Sequence, residues 1–167
     1  MINFSWDLLI GICFAAMSIY GFFSQKERLL VAVVSAYIAL AVANAWGDGV
    51  YRFFLEKGDL LGSWSHHISF FGVTAALFGL FFILMILRGG FAVEERAGFY
   101  TPFLDAVLGF LTVGLIFSSV FSFMPDDARL SLIYLSRVGA FVWQYRTLWV
   151  VGPPLVLVFA SFLRGRR

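Results

Sequence analysis

The sequence predicts an all-α integral membrane protein: a bundle of four or five transmembrane helices with one or two interfacial amphipathic helices. Three observations predict it. Of 167 residues 61% are apolar and only 13% charged, a balance for which lipid is the natural solvent. The apolar residues gather in runs that, at about 1.5 Å per residue, match a hydrocarbon core of about 30 Å. The links between runs are short, which leaves one membrane domain over 1–167 and no space for a separate soluble module.

The first expected span is 6–23, with Trp6 as an interfacial aromatic anchor and Asp7 in the first turn, where the helix dipole favours an anion. Asp7 reads as a solvated N-terminal cap and, with Asn44 and Asp105, is a candidate proton or polar contact. The polar link Ser24 to Arg28 is long enough only for a turn between antiparallel helices. The second span, 29–46, carries Ser35, Ala39 and Ala43 in one file, with Ala32 and Ala36 beginning another. Lipid gives helices no hydrophobic reason to associate, so small residues that let backbones approach mark a central helix. Asn44 near its end reads as an interfacial hydrogen-bonding residue.

From 48 to 66 glycines, mixed charge and aromatic residues predict an interfacial segment, with Tyr51, Phe53, Phe54 and Trp64 dipped into the boundary. His66 and His67 point about 100° apart on a helix and lack further His or Cys partners, so they read as interfacial histidines. The third span, 68–87, offers Gly72, Ala75, Ala76 and Gly79 as a thin packing face. Glu94, Glu95 and Arg96 lie in the following link and read as a solvated connection.

The fourth span, 103–124, is apolar except for Asp105, and is expected to be the centre of the bundle. Gly109 and Gly114 thin its surface, and Ser118, Ser119 and Ser122 can return hydrogen bonds to backbone carbonyls. An ionisable group in or near a span is a functional candidate by default. Asp105 is open to three readings: a helix cap, a proton or cation relay, or an interhelical polar contact.

After Pro125, apolar residues from Leu130 to Val142 recur at helical spacing opposite Asp127, Arg129, Ser131 and Arg137. This predicts one amphipathic helix over 126–145, open to three placements: in the interface plane, against the spans, or holding a partner, with Arg129, Arg137, Trp143 and Arg146 as candidate contacts. The last run, 147–163, is barely long enough to cross and holds Pro153 and Pro154, so a kinked span is expected, with a re-entrant hairpin as the alternative.

Chemistry-bearing motifs are missing from the sequence. It has no Gly-x-Ser-x-Gly, no His-Glu-x-x-His and no phosphate-cradling glycine loop, so neither enzyme nor cofactor is expected. The single cysteine, Cys13, excludes an internal disulfide and a thiolate metal cage, and no metal site is expected. A net charge of +2 with scattered cations argues against nucleic acid. The expected partners are the bilayer and either another membrane protein or further copies of the chain.

The segments WDLLIGICFAAMSIYGFF, SQKERLLVAVVSAYIALAVANAW and LDAVLGFLTVGLIF, in that order, resemble the CvpA family, the bacterial colicin V production proteins. The resemblance covers roughly residues 5 to 124. Ala106 stands where the family usually has a basic residue, and the region of Val113 to Ile116 lacks the family's Gly-x-x-Arg-Gly. The resemblance implies a multi-pass inner-membrane accessory protein linked to toxin export and envelope homeostasis, with no catalytic residues. Two other readings stand beside it: a small homo-oligomeric ion channel or proton-coupled subunit using Asp105, and a structural subunit of a larger complex. With five crossings and a cytoplasmic C-terminus, Lys26, Arg28, Arg88, Arg96, Arg164, Arg166 and Arg167 lie inside against Arg52, Lys57, Arg129, Arg137 and Arg146 outside, which sets the N-terminus outside.

Overall fold

Each apolar run becomes helix where the computed structural model describes the chain. Described are residues 6–23, 26–56, 69–88 and 101–164, with side chains for all of these but 26–28, 101–102 and 160–164. The helices are α1 (Trp6–Phe23), α2 (Lys26–Glu56), α3 (Phe70–Arg88), α4 (Thr101–Phe123), α5 (Asp126–Leu135), α6 (Arg137–Gln144) and α7 (Arg146–Arg164). No strand occurs among the described residues. Among the described residues four stretches are long and apolar enough to cross a membrane: Trp6–Phe23, Leu29–Glu56, Phe70–Arg88 and Phe103–Phe123. The arrangement is that of a helical membrane bundle.

Packing gathers on α4, which touches α1, α2, α3, α6 and α7, while α2 pairs most extensively with α3. Its interior positions suit this. Thr112 Oγ1 donates to Leu108 O at 2.6 Å and Ser119 Oγ to Leu115 O at 2.7 Å, so each hydroxyl is satisfied by its own helix. One apolar cluster joins Ile10 and Phe14 of α1 to Leu111, Val113 and Phe121 of α4 and Trp149 of α7. A second joins Ala39 and Ala43 of α2 to Phe78 of α3 and Phe123 of α4.

Three expectations are corrected, and one alternative is removed. The second helix does not stop at 46: α2 continues to Glu56, so residues 48–56 of the expected interfacial segment extend it. Gly47 is buried inside this helix, where a Cβ would come 3.0 Å from Thr74 Oγ1 of α3. The extension carries an Arg52–Asp48 ion pair at 3.0 Å, one turn apart on an exposed face. The single helix expected over 126–145 is two helices, broken at Ser136, whose φ −133° and ψ 118° are extended. The run from Arg146 stays one helix to Arg164 through Pro153 and Pro154, so the chain does not turn back there as a hairpin. Lastly, the thin face of α3 is not its packing face. Thr74 and Phe78 are its buried residues, Gly79 faces open space, and a Cβ on exposed Gly72 would meet only Ser69 Oγ at the start of its own helix.

The expected turn at Ser24 and Gln25, the interfacial residues Trp64, His66 and His67, the cluster Glu94, Glu95 and Arg96, and the tail 165–167 lie outside the described residues.

Candidate functional site

The up-and-down course of the helices collects most of the polar side chains at one end of the bundle. There the start of α1 meets the elbow between α5 and α6, and the last turns of α4 meet the start of α7. Asp7 makes the first link. Its Oδ1 accepts from Ser136 Oγ at 2.6 Å and from the Val138 amide at 2.9 Å. Ser136 Oγ in turn accepts from the Gly139 amide at 2.8 Å, making Ser136 the N-cap of α6. Asp7 therefore caps a helix 130 residues away in sequence as well as standing in the first turn of its own. Beyond the cap of its own helix that the sequence predicts, this partly exposed carboxylate and a fully buried serine share the first amides of α6, where the helix dipole favours negative charge.

Gly139 completes the elbow, since a Cβ there would lie 2.9 Å from Leu132 Cδ2 and 3.0 Å from Ser136 Oγ. Above it Trp143 is held between two cations. The guanidinium carbon of Arg129 lies 4.2 Å from its ring centroid and that of Arg146 lies 5.0 Å away. Arg129 also pairs with Asp126 one turn earlier. Arg137 is exposed.

Trp149 is the buried centre of this end. Only 2% exposed, it donates Nε1–H to Val142 O at 3.0 Å and sits against the rings of Phe14, Phe110 and Phe141. Its six-membered ring lies directly on Gly114, so closely that any Cβ there would overlap it. The role expected of Gly114 in helix packing takes this form: the missing side chain of α4 is the space that the indole of α7 occupies.

Between α2, α4 and α7 lies an open cleft of about 290 Å³. Its polar wall is Asn44, Ser118, Ser119, Ser122, Arg146 and Thr147; Leu40, Val150 and Val151 form the apolar wall. Below it Tyr37 of α2 donates its hydroxyl to Val150 O of α7. The reason is local. Residue 154 would normally donate to that carbonyl, but Pro154 has no N–H, and in an apolar setting the freed oxygen requires another donor.

Asp105 does not line this cleft. It is buried on α4 at the α1 contact, where a Cβ on Gly21 would come 2.5 Å from its backbone oxygen. Gly109, one turn on, would likewise place a Cβ 2.5 Å from Met17 O. Ser35, Ala39 and Ala43 are buried on α2, whereas Asn44 is exposed in the cleft. The structure thus brings Asn44 and Arg146 together and Asp7 to the α5–α6 elbow, while Asp105 stands at the α1 crossing with Gly21 and Gly109.

Sequence reasoning missed Gly21, Tyr37, Ser136 and Trp149. Tyr37 and Pro154 could have been linked by the need for a donor, but Ser136 carries no local mark. Among the described residues no group of three His, Cys, Asp or Glu gathers as a metal site would require. Comparison with protein-family models, with curated proteins and with solved structures finds no match.

Proposed function

We propose that this is a multi-pass inner-membrane accessory protein of the colicin V production type, supporting toxin export or envelope homeostasis by packing against other membrane components. The observation that carries the reading is the α5–α6 elbow. Its inner side is held by buried Ser136, Leu132 and Val142, and its outer side presents Leu130, Leu135 and Phe141 together with Tyr134, which is 88% exposed. Large apolar side chains on a fixed elbow form a contact surface, and aromatic residues are favoured at such surfaces. Arg129, Trp143 and Arg146 border it as a cationic and aromatic edge.

In this reading the N-terminus is outside, the C-terminus is cytoplasmic and the elbow lies on the outer face, which the bias of cations supports. Packing activity needs neither cofactor nor catalytic group. The resemblance of 5–124 to the colicin V production proteins supports the cellular assignment. The pore reading lacks comparable support, since Asp105 is buried against α1 away from the open cleft.

The test is the mass and composition of tagged protein extracted in native lipid particles. A transporter, secretion component or envelope enzyme should accompany the wild type, and Tyr134→Ala with Leu135→Ala should release it. Recovery without any companion protein would end the accessory reading.

A further inference from the structure

The cleft between α2, α4 and α7 shares only Arg146 with the contact surface of the accessory reading and has a chemistry of its own. We propose that it binds the head group of an anionic glycerophospholipid, with the phosphodiester at Arg146. The inference stands whether or not the protein has an accessory role.

Arg146 opens α7 just beyond the membrane-length helix α4, and Ser122 lies in the last turn of α4, so the cleft sits at head-group level. Among the described residues no carboxylate pairs with Arg146, whose guanidinium carbon lies 5.0 Å from the Trp143 ring centroid. A guanidinium left with open donors at that depth is matched to a phosphodiester oxygen, which it meets with charge-assisted hydrogen bonds. The Asn44 amide stands across the cleft as a further polar group.

A serine refines the choice. Ser122, exposed in the cleft, spends its hydrogen on Ser119 O, which leaves oxygen lone pairs for a donor on the ligand. A polyol head group supplies such donors and a choline does not. Leu40, Val150 and Val151 continue the cleft as an apolar wall along which an acyl chain can lie. At about 290 Å³ the space suits a head group and not an entire lipid.

The experiment places the full chain in nanodiscs of phosphatidylcholine with a minor fraction of phosphatidylglycerol, and native mass spectrometry counts the lipid retained after release. The wild type should keep one phosphatidylglycerol. Arg146→Ala should lower retention by about tenfold, the effect of losing one charge-assisted contact. Arg137→Ala, which removes an exposed cation outside the cleft, should leave retention unchanged and so controls for general surface charge. Asn44→Leu removes the polar amide from the cleft at nearly unchanged shape and charge and should also reduce retention, which keeps the test decisive if Arg146→Ala fails to fold. Equal retention in wild type and a folded cleft variant would overturn the proposal. So would equal retention of phosphatidylcholine, or complete displacement of the lipid by inorganic phosphate, which would assign the site to free anions.

Discussion

Helices α3 and α4 have similar lengths and each carries two glycines, yet they occupy opposite situations. Within the apolar window of α4 61% of residues are buried; within that of α3 the share is 11%. The glycines divide the same way. Gly109 and Gly114 face a neighbouring backbone and an indole at distances that no side chain could share, whereas Gly79 faces open space and Gly72 only its own helix start. Glycine content therefore does not identify a packing helix; what stands opposite each glycine does. In lipid, where close backbone approach replaces hydrophobic drive, that difference decides which helices form the stable centre.

The largest break in this contrast should come from Gly114→Ala. The new methyl occupies the place of the Trp149 ring, so the indole must move and lose both its aromatic neighbours and its bond to Val142. A cost of about 3 kcal/mol is expected, at the upper end for overpacking a core. Thermal unfolding in mild detergent, followed by tryptophan fluorescence, should show a large fall in the midpoint and a red shift. An unshifted spectrum would contradict the packing of Trp149 on Gly114.

Asp7→Ala should come next, because it strips partners from a buried serine hydroxyl and from a helix amide. The damage should be local. Hydrogen exchange should accelerate at the amides of Val138 and Gly139 while α3 stays as protected as before. Uniform acceleration would mean that Asp7 supports the whole bundle and not the elbow.

A smaller effect, about 1 kcal/mol, is expected from Tyr37→Phe, which leaves Val150 O without its donor. The cause can be isolated by repeating it with Pro154→Ala, whose restored amide can serve the same carbonyl. The tyrosine should then matter less. If the two losses simply add, the proline is not the reason for the bond.

The spans were legible because lipid demands long apolar helices, and that demand is written locally. The positions of the breaks were less so. Glycines at 47 and 49 with nearby charges looked like the end of α2, but the buried contact of Gly47 with Thr74 and the Asp48–Arg52 pair on the exposed side let the helix continue. At Ser136 the apolar period runs on undisturbed, since Leu132 and Val142 are both buried on either side of the break. Asp7, far away in sequence, holds the hydroxyl of the extended residue there. The cleft was half legible: Asn44 and Arg146 were singled out as polar residues, but nothing in their spacing put them around one cleft with the serines of α4.

The contrast between the two glycine-bearing helices is tested most directly by comparing Gly109→Ala with Gly79→Ala in the same bilayer, measuring unfolding free energy for each. Gly109→Ala should cost about 2 kcal/mol because its methyl meets the backbone of Met17, while Gly79→Ala should be neutral or gain up to about 0.5 kcal/mol from helix propensity. Equal effects at the two positions would contradict the account of α4 as the packed centre and α3 as the peripheral helix.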